Sequence, residues 1–107
     1  MQKVATRKTA IRIAEDFAKD VRNSGVELKK VILFGSFAKN KQRSYSDIDI
    51  ALVSDKFIGV GFEDIKLFVK ALHKHVNIQP KTFPTNYFKK GDPFIEEITK
   101  TGIEIHF

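Results

Sequence analysis

At 107 residues, 42% hydrophobic and 30% charged, the chain has the size and make-up of one domain over 1–107 with its own core, which excludes a disordered or low-complexity tract. The lack of cysteine excludes disulfides and thiolate metal sites and suits a reducing cytoplasm. The formal net charge of +6 favours anionic partners, while no apolar run approaches the ~20 residues of a membrane span and the N-terminal stretch lacks the apolar region of a signal peptide.

In chain order, residues 3–23 carry Ile11, Ala14, Phe17, Ala18 and Val21 at helical spacing, with Gly25 as a stop, and predict a first helix. The run "KKVILFG" has strand length and ends at Gly35. In "SDIDIALVS", Ile48, Ile50 and Leu52 point one way and Asp47, Asp49, Ala51 and Val53 the other, which predicts a second strand. The segment between, from Gly35 to Ser46, has room for a short helix starting near Ser36. Ile65, Phe68, Val69 and Leu72 form an i, i+3, i+4, i+7 stripe and predict a helix over 62–73. "HVNIQPKTF" reads as a third strand, interrupted or ended by Pro80. Asp92-Pro93 and Gly102 bracket a last short helix, and "IEIHF" closes the chain as a strand. The expected fold is α+β in two layers: a mixed sheet of three or four strands with helices mainly on one face.

Two features carry chemistry. If a strand ends at Gly35 and a helix begins at Ser36, backbone N–H groups and the positive helix end face outward there, which suits a phosphate. Asp47 and Asp49 on one strand face lie about 6.6 Å apart along the chain and can reach around one or two Mg²⁺ ions. An isolated Gly-Ser is more often a plain turn, and an isolated Asp-x-Asp an exposed acidic strand end. Together, separated by the ten residues 37–46, they point to an anion that travels with a metal ion. Lys39, Lys41 and Arg43 lie between them with no acid among them.

Gly35-Ser36 followed at this spacing by Asp47-Ile48-Asp49-Ile50 resembles the signature of the nucleotidyltransferase superfamily that includes DNA polymerase β. "LFGSFAKNKQRSYSDIDIALV" is similar to the same segment of the minimal nucleotidyltransferases, small stand-alone proteins often encoded beside a HEPN-domain partner. The ending "DPFIEEITKTGIEI" resembles the C-terminus of that group. The resemblance implies a nucleotidyltransferase fold in which Gly35 and Ser36 hold the β- and γ-phosphates of ATP or another NTP, and Asp47 and Asp49 hold Mg²⁺ or Mn²⁺. Lys39 stands where relatives often carry Arg; it and Arg43 would neutralise phosphate charge. Asn40 replaces a frequent Gly, whose left-handed conformation Asn can mimic. The implied reaction is attack of a hydroxyl on the α-phosphate, transferring a nucleoside monophosphate and releasing pyrophosphate, with a HEPN-type protein as acceptor in an antitoxin-like role.

Relatives that are active carry a third acid on the strand after the next helix. Here Asn77 and Gln79 occupy that strand, and Asn77, expected to lie deeper in it, is the candidate for the third position. An amide can hydrogen-bond a hydroxyl but cannot take its proton. His73 and His75 read as solvated helix-end histidines. The alternative function is therefore a weak or inactive module that neutralises its partner by occupancy. No basic stripe with interleaved aromatics marks a nucleic-acid surface. Acceptor recognition would come from a partner or from a second subunit in a homo-oligomer; Phe83, Tyr87, Phe88 and Phe94 are either a face for that contact or core.

Overall fold

Helix α1 (Arg7–Asn23) begins where the Thr6 side chain accepts the Thr9 N–H at 3.0 Å, and it buries Ala10, Ala14, Phe17, Ala18 and Val21. The small alanines on that stripe let its backbone lie close to a sheet. The structure, a computed structural model, describes residues 6–75 and 77–107, so positions 3–5 of the expected helix lie outside the described residues.

The sheet has four strands in the order β3-β2-β1-β4. Strands β1 (Lys30–Phe34) and β2 (Ile48–Ser54) are antiparallel, β4 (Ile103–Glu104) is antiparallel to β1, and β3 (Ile78–Pro84) runs parallel to β2. Val31, Leu33, Ile48, Ile50 and Leu52 face α1 in the larger core. Ile32, Ala51, Val53 and Phe83 face the opposite way and pack with Ile95 and Ile98 of α5 (Pro93–Thr101). Strand β2 is covered on both faces from Ile50 onward, which is why its sequence turns from alternation to a continuous apolar run. The long α1, with α3 (Val69–Lys74), forms the main helical layer, and α5 covers only part of the other face.

Beyond the Gly-Ser segment, four elements differ from the sequence expectation. The helix expected over 62–73 is broken into α2 (Gly61–Asp64), a 3₁₀ turn (Ile65–Leu67) and α3, with the break at Phe68 (φ −141°). Two tertiary anchors impose the break. Phe68 turns into the core against Phe17 and Phe57, with ring centroids 6.1 and 6.0 Å apart. Asp64, 2% exposed, accepts hydrogen bonds from Ile58 N (2.9 Å), Gly59 N (3.0 Å) and Thr82 Oγ1 (2.7 Å), clasping the preceding loop to β3.

Pro80 neither interrupts nor ends the third strand, because β3 is an edge strand where a missing N–H can face outward. A short helix α4 (Thr85–Lys90), which the sequence did not signal, follows directly. The closing strand holds two residues, extended by a bond from Ile105 N to Val31 O at 2.8 Å.

His75 is not solvated either. Its ring packs edge-on against Phe17 and its Nε2 lies 2.7 Å from Asp20, tying the end of α3 to α1. That hydrogen bond, more than any other influence, holds the Asp20 carboxyl below the usual aspartate range. Among the described residues no helix is long and apolar enough to cross a membrane.

Replacing Asp64 by Ala leaves two backbone N–H groups and a hydroxyl without their buried acceptor. We expect Asp64→Ala to lower the free energy of unfolding by about 2–4 kcal/mol in urea titration. An unchanged transition midpoint would mean that the clasp contributes nothing net.

Candidate active site

Past the end of β1 the chain turns at Gly35, whose φ is +76°. Residues 35–40 form one hydrogen-bonded turn and not the short helix expected there. Lys39 N donates to Gly35 O (3.1 Å), Asn40 N to Phe37 O (3.2 Å) and Lys41 N to Ser36 O (2.8 Å). With Asn40 left-handed (φ 57°), the last two bonds close the turn as a helix C-terminus is closed, so the helix stops after its first turn. Buried Phe37 and Ala38 fasten the turn to the α1 core.

The cross-strand register sets Phe34 opposite Asp49, so Asp49 lies against the turn itself. A Cβ on Gly35 would fall on Asp49 Oδ2. Only glycine therefore permits both the left-handed turn and the approach of the carboxylate. Asp47 precedes the first residue of β2 and is exposed; Asp49 is half-buried. Burial above all, and then the charge of Asp47, pushes the Asp49 carboxyl above the usual aspartate range, while Lys81 opposes that rise.

Parallel pairing places Gln79 directly beside Asp49, and Lys81 beside Ala51 one pleat further on the same face. Asn77 lies ahead of β3 and not deeper in it: it is exposed and left-handed (φ 64°), and its carbonyl accepts the Ile48 N–H at 2.6 Å. The left-handed residue takes the chain out of strand alternation, so the amide paired beside Asp49 is that of Gln79. Lys39 extends to α5, where Nζ sits 3.1 Å from Glu97 Oε2. Arg43 opens a tight turn in which its N–H donates to Ser46 Oγ (2.7 Å) and its carbonyl accepts Ser46 N–H (3.1 Å), with its side chain exposed.

Gly35, Asp47, Asp49, Gln79 and Lys81 thus converge, with Lys39 and Glu97 linking the turn to α5. Among the described residues no cluster of three His, Cys, Asp or Glu side chains is placed to hold a metal. Sequence reasoning missed Lys81 and Glu97. The period-2 pattern from Gln79 carried a signal for Lys81; nothing in the sequence marked the pairing of Glu97.

Residues 16–106 match the family model described as "Polymerase beta, Nucleotidyltransferase". No curated protein sequence is significantly similar to the chain. Among solved structures, a candidate nucleotidyltransferase from Sulfolobus solfataricus superposes with a TM-score of 0.67 at 20% identity, covering 92% of this chain and 80% of that one. A chain of a toxin–antitoxin complex with AMP-PNP superposes with a TM-score of 0.60 at 20% identity, covering 83% of this chain and 68% of its own.

Two variants test this geometry without a ligand. Gly35→Ala combines a left-handed alanine with a clash on Asp49, and we expect it to cost about 1–3 kcal/mol in chemical denaturation; a neutral result would disprove the close approach. Asp49 has a folded-state pKa raised above its unfolded value, so the folded protein binds that proton better and loses stability as pH rises through the window between the two values. Asp49→Asn should therefore melt higher than wild type at neutral pH, with the gain vanishing below the ordinary aspartate pKa. A gain that does not depend on pH would refute the cost of holding the Asp49 charge half-buried beside Asp47.

Proposed function

The chain belongs to the polymerase β-type nucleotidyltransferase family, and from that premise we propose that it transfers AMP from ATP to a hydroxyl on a partner protein. The observation that carries the reading is the contact between Gly35 and Asp49, which puts a carboxylate against the turn where a triphosphate would rest. In this reading Gly35 and Ser36 seat the β- and γ-phosphates. Asp47 and Asp49 would hold Mg²⁺ or Mn²⁺, for which the chemistry of the pair fits: Mg²⁺ commonly takes one or two protein carboxylates and fills its remaining positions with water and phosphate. Bound there, the metal would neutralise charge on the triphosphate and on the leaving pyrophosphate.

The other residues act through position. Lys81, on the face of Asp49, offers a cation toward the anionic substrate, while Lys39 stays at the rim, paired to Glu97. Gln79 can orient the attacking hydroxyl but cannot accept its proton, which passes to solvent. Positioning and electrostatics supply most of the catalysis of phosphoryl transfer, whereas losing a general base costs about 10²–10⁴ in rate. The toxin–antitoxin neighbour with AMP-PNP supports a nucleotide substrate and a protein partner, and we propose a HEPN-type protein as that partner.

The amide at 79 also favours a second reading, in which the domain binds nucleotide and neutralises its partner by occupancy. Transfer of labelled AMP to a co-expressed partner separates the two. On the enzyme reading wild type labels the partner in Mg²⁺, and Gln79→Glu labels it faster by at least tenfold. Occupancy alone predicts no label from either protein.

Metal dependence is tested by heat. ATP should raise the melting temperature only when Mg²⁺ or Mn²⁺ is present, and the double variant Asp47→Asn with Asp49→Asn should lose that rise while staying folded. An equal rise in the double variant would remove both aspartates from the site.

A further inference from the structure

Phe94 packs against the sheet and yet stays open to solvent. Its ring meets Phe34 edge-on (centroids 5.7 Å, 82°) and Phe83 at a tilt (6.3 Å, 46°). Phe34 belongs to β1 in the row of Asp49, and Phe83 to β3 in the row of Val53. A ring that touches both lies across β2 near the row between, that of Ala51, whose methyl side chain leaves room for it. That row is one same-face step from Asp49, about 6–7 Å along the strand.

The ring is held but not covered. Phe83 is braced from behind by Phe88 (5.5 Å). The helix of Phe94, α5, is fixed at one end by the Asp92 cap, which accepts the Ile95 N–H at 2.7 Å, and one turn further on by Glu97 on Lys39. Ile95 and Ile98 supply the helix's buried contacts with the sheet, yet Phe94 remains 44% exposed. A large apolar surface held against the sheet and left open about one same-face step from Asp49 is suited to a flat ligand ring, since stacking needs an immobile face and little else.

We propose that Phe94 is the platform on which the base of the bound nucleotide stacks. The inference rests on the nucleotidyl-transfer reading: with the phosphates at Gly35 and Ser36 and the metal pair at Asp47 and Asp49, the ribose spans the single step from Asp49 to the row of Ala51. The base then lies over Phe94, with Lys81 beside Ala51 in that row. Phe94 binds substrate through its ring face and takes no part in proton or phosphoryl transfer.

The test compares two ligands that share a phosphate chain and differ in the base. Titration calorimetry in Mg²⁺ with ATP and with inorganic tripolyphosphate is run on wild type, Phe94→Leu and Phe94→Trp. We expect Phe94→Leu, which keeps an apolar side chain but loses the flat ring, to weaken ATP binding by about tenfold to a hundredfold. Phe94→Trp should match or exceed wild type, and all three should bind tripolyphosphate alike. Undiminished ATP binding by Phe94→Leu overturns the inference, as does an equal loss of tripolyphosphate, which would reveal a purely structural role. Wild type that binds ATP no more tightly than tripolyphosphate overturns the inference alone. Wild type that binds neither overturns the nucleotide reading and this inference with it.

Discussion

The whole site depends on one close approach, the Gly35 backbone against the Asp49 carboxylate. That approach exists because β1 and β2 pair in a register that sets Phe34 opposite Asp49, and because the residue after Phe34 has no side chain and a left-handed conformation. The register in turn is fixed by the alternation of Ile48, Ile50 and Leu52 toward α1, since a shift of one residue would turn both aspartates into the core. The same packing that stabilises the sheet therefore aims the chemistry. One of the site's own carboxylates works against the fold: Asp49 is partly desolvated beside a like charge.

Much of this was legible in the sequence, and the reasons are local. Strand alternation placed Asp47 and Asp49 with Ala51 and Val53; Asp92-Pro93 marked the start of α5, where the Asp92 side chain caps Ile95 N; the left-handed conformation proposed for Asn40 is the one it adopts. What was hidden depends on distant contacts. The stripe from Ile65 to Leu72 has helical spacing, but Asp64 binds Thr82 of β3 and Phe68 packs on Phe17, and these pull the segment into three pieces. Pro80 looks like a strand breaker until β3 is known to be an edge. Asn77 looks like a strand residue until its φ of 64° is known, and that one dihedral moves the amide beside Asp49 from 77 to 79.

Helix α5 joins two roles that sequence reading kept apart. Ile95 and Ile98 bury its inner face, whereas Phe94 and Glu97 reach the site's margin, where Glu97 holds Lys39 of the Gly-Ser turn. The sheet positions the aspartates, and α5 positions what surrounds them. A partly covered second face is what makes this possible: were the helix layer complete there, Asp49 and Gln79 would be sealed from solvent.

Strand β3 also bears on how the molecule behaves among its own copies. A sheet margin of seven residues offers unpaired backbone groups to any similar edge it meets. Pro80 removes one donor from the middle of that margin, and Lys81 next to it would bring like charges together if two such strands aligned. The proline that looked like an interruption in the sequence instead guards against strand-to-strand aggregation. It does so on the strand that carries Gln79, next to the strand of Asp49.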